Sequence, residues 1–161
     1  METIAIGLGS NLGDRQGHIE SAVQMLAETE GLTVHAHSGW IETAPVGDVE
    51  QGPYLNGAVL AGTDLSPETV LERLHEIERA HGRVRPDPVR WGPRTLDLDL
   101  LLYGERVIDD GSPVLPHPRM HERLFVLEPL AQIAPEMRHP VLCRSIRELL
   151  EAARAASLEC S

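Results

Sequence analysis

Lysine is absent from this sequence; all 14 basic residues are arginine. That absence excludes Schiff-base chemistry and a Walker-type phosphate lysine. Any phosphate handling must rest on arginine, backbone amides or metal, and arginine's planar fork suits bidentate phosphate contacts. Cysteine is almost as scarce. Cys143 and Cys160 are the only two, which is neither a disulfide framework nor a zinc pattern, so a reducing, cytoplasmic setting is expected. No apolar run approaches the roughly 20 residues that span a bilayer, so no membrane partner is expected. The first residues lack a charged n-region and read directly as a strand, so no signal peptide is expected. Positive charge is in short supply: the formal net charge of -11 argues against a nucleic-acid partner, which rewards basic surfaces. There is no internal repeat, low-complexity tract or linker. The 161 residues suffice for one domain with its own core, expected to span 1–161 and to act as a monomer.

Against this background one segment stands out, running from Arg83 to Asp99. Arg83, Arg85, Arg90 and Arg94 fall within twelve residues of an otherwise acidic chain. A local cationic loop of this kind points to a small, highly charged anion such as a nucleotide polyphosphate. The loop runs into Leu96-Asp97-Leu98-Asp99-Leu100-Leu101-Leu102, which reads as a strand. With side chains alternating at period two, Leu96, Leu98, Leu100 and Leu102 share a core face, while Asp97 and Asp99 share the other with Leu101. The two carboxylates then lie roughly 6.6 Å apart along the strand. Such a pair grips one hard cation from two sides, or serves two cations about 3.5–4 Å apart, as in phosphoryl-transfer sites. Magnesium takes only one or two protein carboxylates together with phosphate oxygens and water, so two aspartates are enough.

The rest of the chain alternates strand and helix signals. Thr3–Leu8 reads as a buried strand and Gly9–Gly13 as a turn. Asp14 caps a helix of about Arg15 to Glu28, whose apolar stripe is Ile19, Ala22, Val23 and Leu26. Gly31 stops it. Leu32 to Thr43 reads as extended, Ala44 to Pro53 as a loop, and Tyr54 to Ala61 as a strand. Ser66-Pro67-Glu68 is a helix start with a cap, a proline at the first position and acid in the first turn. Val70, Leu71, Leu74 and Ile77 carry that helix to about His81, and Gly82 ends it. With the Asp97/Asp99 strand the order is β-α-β-β-α-β, the ferredoxin-like arrangement of an antiparallel sheet with helices packed on it. Val107-Ile108, a proline-rich turn over Pro113–Pro118, and helical pieces near Glu122–Ala131 and Ser145–Ala156 follow.

Several other constellations resolve less sharply. Gly7, Gly9 and Gly13 suggest a dinucleotide fingerprint, but the third glycine falls one residue late and the β-β pairing is not a Rossmann unit. They read instead as a tight strand-to-helix turn, from which Asn11 could reach a site. His117 and His121 have i, i+4 spacing, but zinc needs a third ligand and none is arranged nearby. His117 is read as pointing to phosphate or substrate, His121 as solvated, and His35 and His37 as surface. Trp40, Tyr54, Trp91, Tyr103 and Phe125 are the five aromatics. Trp91, in a Gly/Pro/Arg loop, fits a loop that closes over something. Tyr54 near Asn56 offers a stacking face beside an amide edge, a combination suited to a flat heteroaromatic ligand. Core packing is the equal alternative for Tyr54 and Phe125.

The run Arg90-Trp91-Gly92-Pro93-Arg94-Thr95-Leu96-Asp97-Leu98-Asp99 resembles the signature of the 6-hydroxymethyl-7,8-dihydropterin pyrophosphokinase family of folate biosynthesis. Gly9-Ser10-Asn11-Leu12, Thr43-Ala44-Pro45-Val46-Gly47, Tyr54-Leu55-Asn56, Gly82-Arg83-Val84-Arg85, Pro116-His117-Pro118 and Arg123-Leu124-Phe125 match the family in the same order. The likeness spans Ile4 to about Leu150. The long signature is highly specific; the short ones gain their weight from their order. The resemblance implies transfer of pyrophosphate from ATP to the pterin hydroxymethyl group with release of AMP, using two Mg2+ ions on a ferredoxin-like fold. It implies that Asp97 and Asp99 hold the metals. Arg83, Arg94 and Arg85 would meet the phosphates, and His117 and Arg123 the nucleotide phosphates or ribose. Thr43 and Val46 would read the pterin edge through backbone groups and Asn56 through its amide. Tyr54 and Phe125 would stack on the pterin faces, and Trp91 would close the arginine loop. Glu78 corresponds to a family acid near the pterin side and the arginine loop.

Three positions depart from some family members: Pro118 in place of tyrosine, His75 in place of glutamine, and Ala44 in place of proline. These touch nucleotide contacts rather than the chemistry. Transfer of this kind needs positioning and electrostatic stabilisation, not a nucleophilic side chain, and no protein general base stands out. Two other readings compete. One is a non-catalytic pterin- or nucleotide-binding module on the same fold, against which the Asp97/Asp99 pair argues. The other is a metal-dependent hydrolase built on that pair.

Overall fold

Both helix starts form as the sequence dictates. Asp14 accepts a hydrogen bond from the Gly17 N–H at 3.1 Å, and Ser66 Oγ accepts one from the Thr69 N–H at 3.2 Å with Pro67 following it. Each satisfies an orphan donor of a first helical turn. Gly31 and Gly82, at φ of +89° and +88°, supply the left-handed residue after each helix. The computed structural model describes residues 1–10, 14–43, 54–82 and 96–159. Over these the chain forms β1 (Glu2–Ser10), α1 (Arg15–Glu28), β2 (Leu32–His37), β3 (Ile41–Thr43), β4 (Tyr54–Thr63), α2 (Pro67–Ala80) and β5 (Asp97–Tyr103). A 3-10 turn (Met120–Glu122), α3 (Leu124–Ile133), the short β6 (Arg138–His139) and β7 (Arg144–Ser145), and α4 (Ile146–Glu159) follow.

The main sheet has the order β2-β4-β1-β5, with β3 also pairing β4, and its pairs are antiparallel. This is the βαββαβ ferredoxin-like core expected from the element order. One face carries α1 and α2. Ile19, Ala22 and Leu26 of α1 and Val70, Leu74 and Ile77 of α2 join Ile4, Ile6, Leu8, Val59, Leu96, Leu98 and Leu100 in one buried cluster. The opposite face is covered by the C-terminal additions. Met120, Leu127, Leu130, Ile146, Leu149 and Leu150 close over Ala5, Ala58, Leu101 and Leu102.

Three expectations are corrected. Leu102 does not share a face with Leu96, Leu98 and Leu100; it belongs with Leu101 to the second cluster, and Tyr103 takes its place in the first. The cause is a register shift. Ile6 pairs with Leu100 but Ala5 with Leu102, so Leu101 is one residue too many and the alternation changes phase there. Gly9 and Ser10 are not in a turn; they extend β1, opposite Asn56 and Leu55. The extended stretch 32–43 is two strands, not one. His37 pairs with Val59 and Ile41 with Asn56, so four steps on one side meet three on the other. Ser38 spans the break. Its N–H donates to the Ala58 carbonyl at 2.9 Å, and its Oγ accepts from the Ala58 N–H at 2.9 Å.

Candidate active site

The register brings the site residues into rows across the sheet. Gly9 of β1 lies between Asn56 of β4 and Asp97 of β5, and Gly7 lies between Ala58 and Asp99. On this face α3 and α4 pack on Ala58 and Ala5. From the Ala58–Gly7–Asp99 row outward come Asn56, Gly9 and Asp97, with Tyr54 next along β4. A Cβ at Gly9 would stand 3.1 Å from Asn56 Oδ1 and 3.4 Å from Tyr54 Cδ1, which shows that both side chains lean over the glycine. With strands about 4.8 Å apart, the amide and the first carboxylate face each other across a trough roughly 10 Å wide at the backbone. Asn56 is buried, at 6% exposure, and Tyr54, Asp97 and Asp99 are half-buried. Thr43, the last residue of β3, pairs with Tyr54, so its backbone ends at the same rim.

His117, Arg123 and Phe125 arrive from the C-terminal additions. The His117 N–H donates to the Leu101 carbonyl at 2.9 Å, which fixes the residue beside β5. Its Nδ1 accepts from the Arg119 N–H at 3.4 Å. By this hydrogen-bond geometry the neutral ring carries its proton on Nε2. Burial pushes the His117 pKa below the ordinary histidine value, the Arg123 guanidinium pushes it the same way, and Asp97 opposes them. Both observations favour a neutral His117 ring with its N–H on Nε2. Arg123 caps α3, with its carbonyl accepting from the Val126 and Leu127 N–H groups at 3.0 Å each. Its guanidinium lies 5.6 Å from the centre of the Phe125 ring, a cation–π distance. Phe125 is half-buried against the second cluster. Core packing, the alternative to a stacking role, thus holds for part of this ring.

Arg83, Arg85, Arg94, Trp91 and Val46 lie outside the described residues, as do Asn11 and Ala44. Of the remaining sequence readings, His121 requires correction. It is solvated only in part: its side chain is 34% exposed, but its ring packs edge-on against His139 at 6.0 Å between centroids, and its Nδ1 is buried with no hydrogen-bond partner among the described residues. The i, i+4 spacing of His117 and His121 is not helical, because Met120–Glu122 is a 3-10 turn preceded by irregular chain. His35 and His37 are exposed as expected, with His37 stacked on Trp40 at 5.2 Å.

Two features escaped the sequence reading. The glycine strip was taken for a turn, although a glycine at every second strand position signals a face stripped of side chains. Glu78, placed near the arginine loop only by resemblance, is 0% exposed and accepts from the Leu98 N–H at 2.9 Å.

The donor chemistry of the trough fits magnesium. Two carboxylates with hard oxygen donors share one face of β5, and no group of three or more His, Cys, Asp or Glu that could hold a metal occurs among the described residues. A cation here would draw its remaining ligands from phosphate and water, which is magnesium's habit.

The family model described as 7,8-dihydro-6-hydroxymethylpterin-pyrophosphokinase (HPPK) matches residues 5–135. A Bacillus subtilis protein named 2-amino-4-hydroxy-6-hydroxymethyldihydropteridine pyrophosphokinase is 47% identical over 138 residues, covering 85% of this chain and 81% of its own length. A Methylorubrum extorquens protein of the same name is 47% identical over 132 residues, covering 82% of each. Among solved structures, Plasmodium falciparum HPPK-DHPS superposes with a TM-score of 0.76 at 16% identity, over 98% of this chain and 45% of the other. The chain thus spans less than half of that solved protein, and at such identity the match shows a shared fold. With a family model matched from the first strand to the end of α3, this chain belongs to the 7,8-dihydro-6-hydroxymethylpterin-pyrophosphokinase family.

Proposed function

We propose that the protein transfers pyrophosphate from ATP to the hydroxymethyl group of 6-hydroxymethyl-7,8-dihydropterin and releases AMP. The observation that carries this reading is the row Asn56–Gly9–Asp97. It sets a buried amide, able to donate and accept, across a glycine strip from the metal-type carboxylates. Asn56 reads the pterin edge, joined by backbone groups of Thr43 and Val46, and Tyr54 and Phe125 bracket its faces. This points the hydroxymethyl group toward β5. Asp97 and Asp99 would hold two magnesium ions, which supply charge neutralisation on the phosphates and acidify the attacking alcohol. His117 donates its Nε2–H to a phosphate oxygen without adding charge. Arg123 adds a fixed cation, held over the Phe125 ring. Arg83, Arg85 and Arg94 meet the phosphate chain, and Trp91 closes their loop against water. No covalent intermediate is needed, because positioning and electrostatics carry phosphoryl-type transfer.

The chain works as one domain over 1–161 and as a monomer in a reducing, cytoplasmic compartment. One main sheet with helices on both faces and an exposed free thiol at Cys143 support this. Among the described residues no helix is long and apolar enough to cross a membrane.

The test is a product assay with ATP, magnesium and 6-hydroxymethyl-7,8-dihydropterin, each omitted in turn. AMP that requires both pterin and magnesium is the expected result, and Asp97→Ala should reduce it by at least about a thousandfold while the fold is retained. ADP in place of AMP would make the protein a simple kinase. Pterin binding without nucleotide cleavage would leave the non-catalytic binding module, and pterin-independent ATP cleavage the hydrolase.

A further inference from the structure

The apolar stripe of α2 holds an anomaly. Val70, Leu74 and Ile77 face the core, and position 78, eight residues after Val70, continues the same stripe. An aliphatic side chain belongs there, yet the residue is Glu78, with 0% exposure. A carboxyl group buried this deeply is costly unless hydrogen-bonded. Glu78 Oε2 accepts the Leu98 N–H at 2.9 Å. Leu98 is the residue between Asp97 and Asp99. In an antiparallel pair, alternate residues turn their N–H groups toward the partner strand or away from it. Among the described residues β5 is the edge strand of the sheet, paired with β1, and the Leu98 N–H meets Glu78 on its outer side. The next irregularity, the phase change at Leu101, follows three residues later. Before that change the strand must present two carboxylates, one on each side of Leu98, on one face at a fixed separation.

We infer that Glu78 is a positioning residue for the metal centre: by clamping the Leu98 backbone it fixes the height and twist of β5, so that Asp97 and Asp99 face the trough together. This rests on the reading of Asp97 and Asp99 as the magnesium-holding pair. It assigns Glu78 no contact with metal or substrate. Its effect passes through the main chain of one residue, as outer-shell partners orient the ligands of metal sites. Pterin recognition, built on β4 and β3, is separate from it.

The experiment titrates magnesium by calorimetry into protein saturated with a non-hydrolysable ATP analogue, and in parallel titrates pterin. Glu78→Ala should weaken magnesium binding by about tenfold or more, in the range seen when outer-shell partners are lost, with pterin affinity within about twofold of the parent. Glu78→Gln keeps a carbonyl acceptor at the same reach and should stay within about threefold of the parent for magnesium. Glu78→Asp keeps the carboxyl group but is one methylene shorter and should lose magnesium affinity. This ordering separates reach from charge even if the alanine variant does not fold. The inference is overturned if Asp retains magnesium binding and Gln loses it, if no Glu78 variant changes it, or if magnesium and pterin affinities fall by the same factor. Asp97→Asn is the control for the underlying reading. If it binds magnesium as the parent does, the metal assignment fails, whatever the Glu78 variants do.

Discussion

Gly9 sits where the two halves of the proposed reaction meet, with Asn56 on one side and Asp97 on the other. A methyl group there would stand 3.1 Å from Asn56 Oδ1, so the amide would have to yield by a few tenths of an ångström, and 3.4 Å from Tyr54 Cδ1, which closes off the space on that side. Neither is a loose end: Asn56 is buried and Tyr54 half-buried, on a strand paired on both sides. Gly9→Ala should therefore tilt the amide proposed to read the pterin and raise the pterin KM about tenfold, or ~1.4 kcal/mol, with the KM for ATP little changed. Gly7→Ala is the comparison. Its new Cβ would meet Leu101 at 3.4 Å, an ordinary contact, and should shift the pterin KM by less than about twofold. Steady-state kinetics on the two variants decide it, and equal effects would show that the strip does not shape the pterin side. Charges and amides of the site were legible because their chemistry is written in residue type. The strip was not, because a glycine pair reads as a turn until its partners across the sheet are known.

Ser38 does at the level of an element what Gly9 does for a side chain. It is 2% exposed, and its Oγ accepts the Ala58 N–H and donates to the Gly39 carbonyl at 2.7 Å. It thereby completes the β4 ladder where β2 stops and β3 has not begun. Ser38→Ala leaves a buried N–H unpaired and should cost about 1–3 kcal/mol. Urea unfolding measures this, and a loss below about 0.5 kcal/mol would mean that water replaces the hydroxyl. Helices α1 and α2 were legible nearly to the residue, since Asp14 and Ser66 announce caps whose hydrogen bonds form as expected. The split of 32–43 was not, since the extra residue near Gly39 shows only in the register against β4. The phase change in β5 was hidden for a different reason. Leu100, Leu101 and Leu102 are identical, so an alternating pattern carries no information across them. Glu78 was legible only by resemblance, because a glutamate on a helix ordinarily faces water.

Across the whole molecule, the C-terminal additions both cover one sheet face and carry His117, Arg123 and Phe125, the residues proposed to meet nucleotide and pterin. Packing these additions against the sheet buries imidazoles, and that has a consequence for stability. Burial lowers the pKa of His117, helped by Arg123 and opposed by Asp97, and burial lowers that of His139, helped by His121. Both start from an ordinary value of 6.5. Between that value and their lowered folded values, the unfolded chain binds protons that the folded protein refuses. Stability then rises with pH across this window; the contribution is complete above about pH 6.5 and is lost as pH falls through the folded pKa values. Glu148 is lowered from 4.5 by the Ser145 hydrogen bonds at the start of α4, so its loss has the same direction but belongs to a lower window. Acid should therefore weaken the fold in two stages. A His117→Asn/His139→Asn double variant tests the upper one. Each asparagine keeps a side-chain acceptor for the N–H groups now held by Nδ1, those of Arg119, Val141 and Leu142, but does not titrate. Urea midpoints measured from pH 7.5 to pH 4 should fall below about pH 6.5 in the parent. In the double variant they should stay level until the carboxylate window opens. If both proteins lose stability in parallel through the upper window, the buried imidazoles are not what makes the fold sensitive to mild acid.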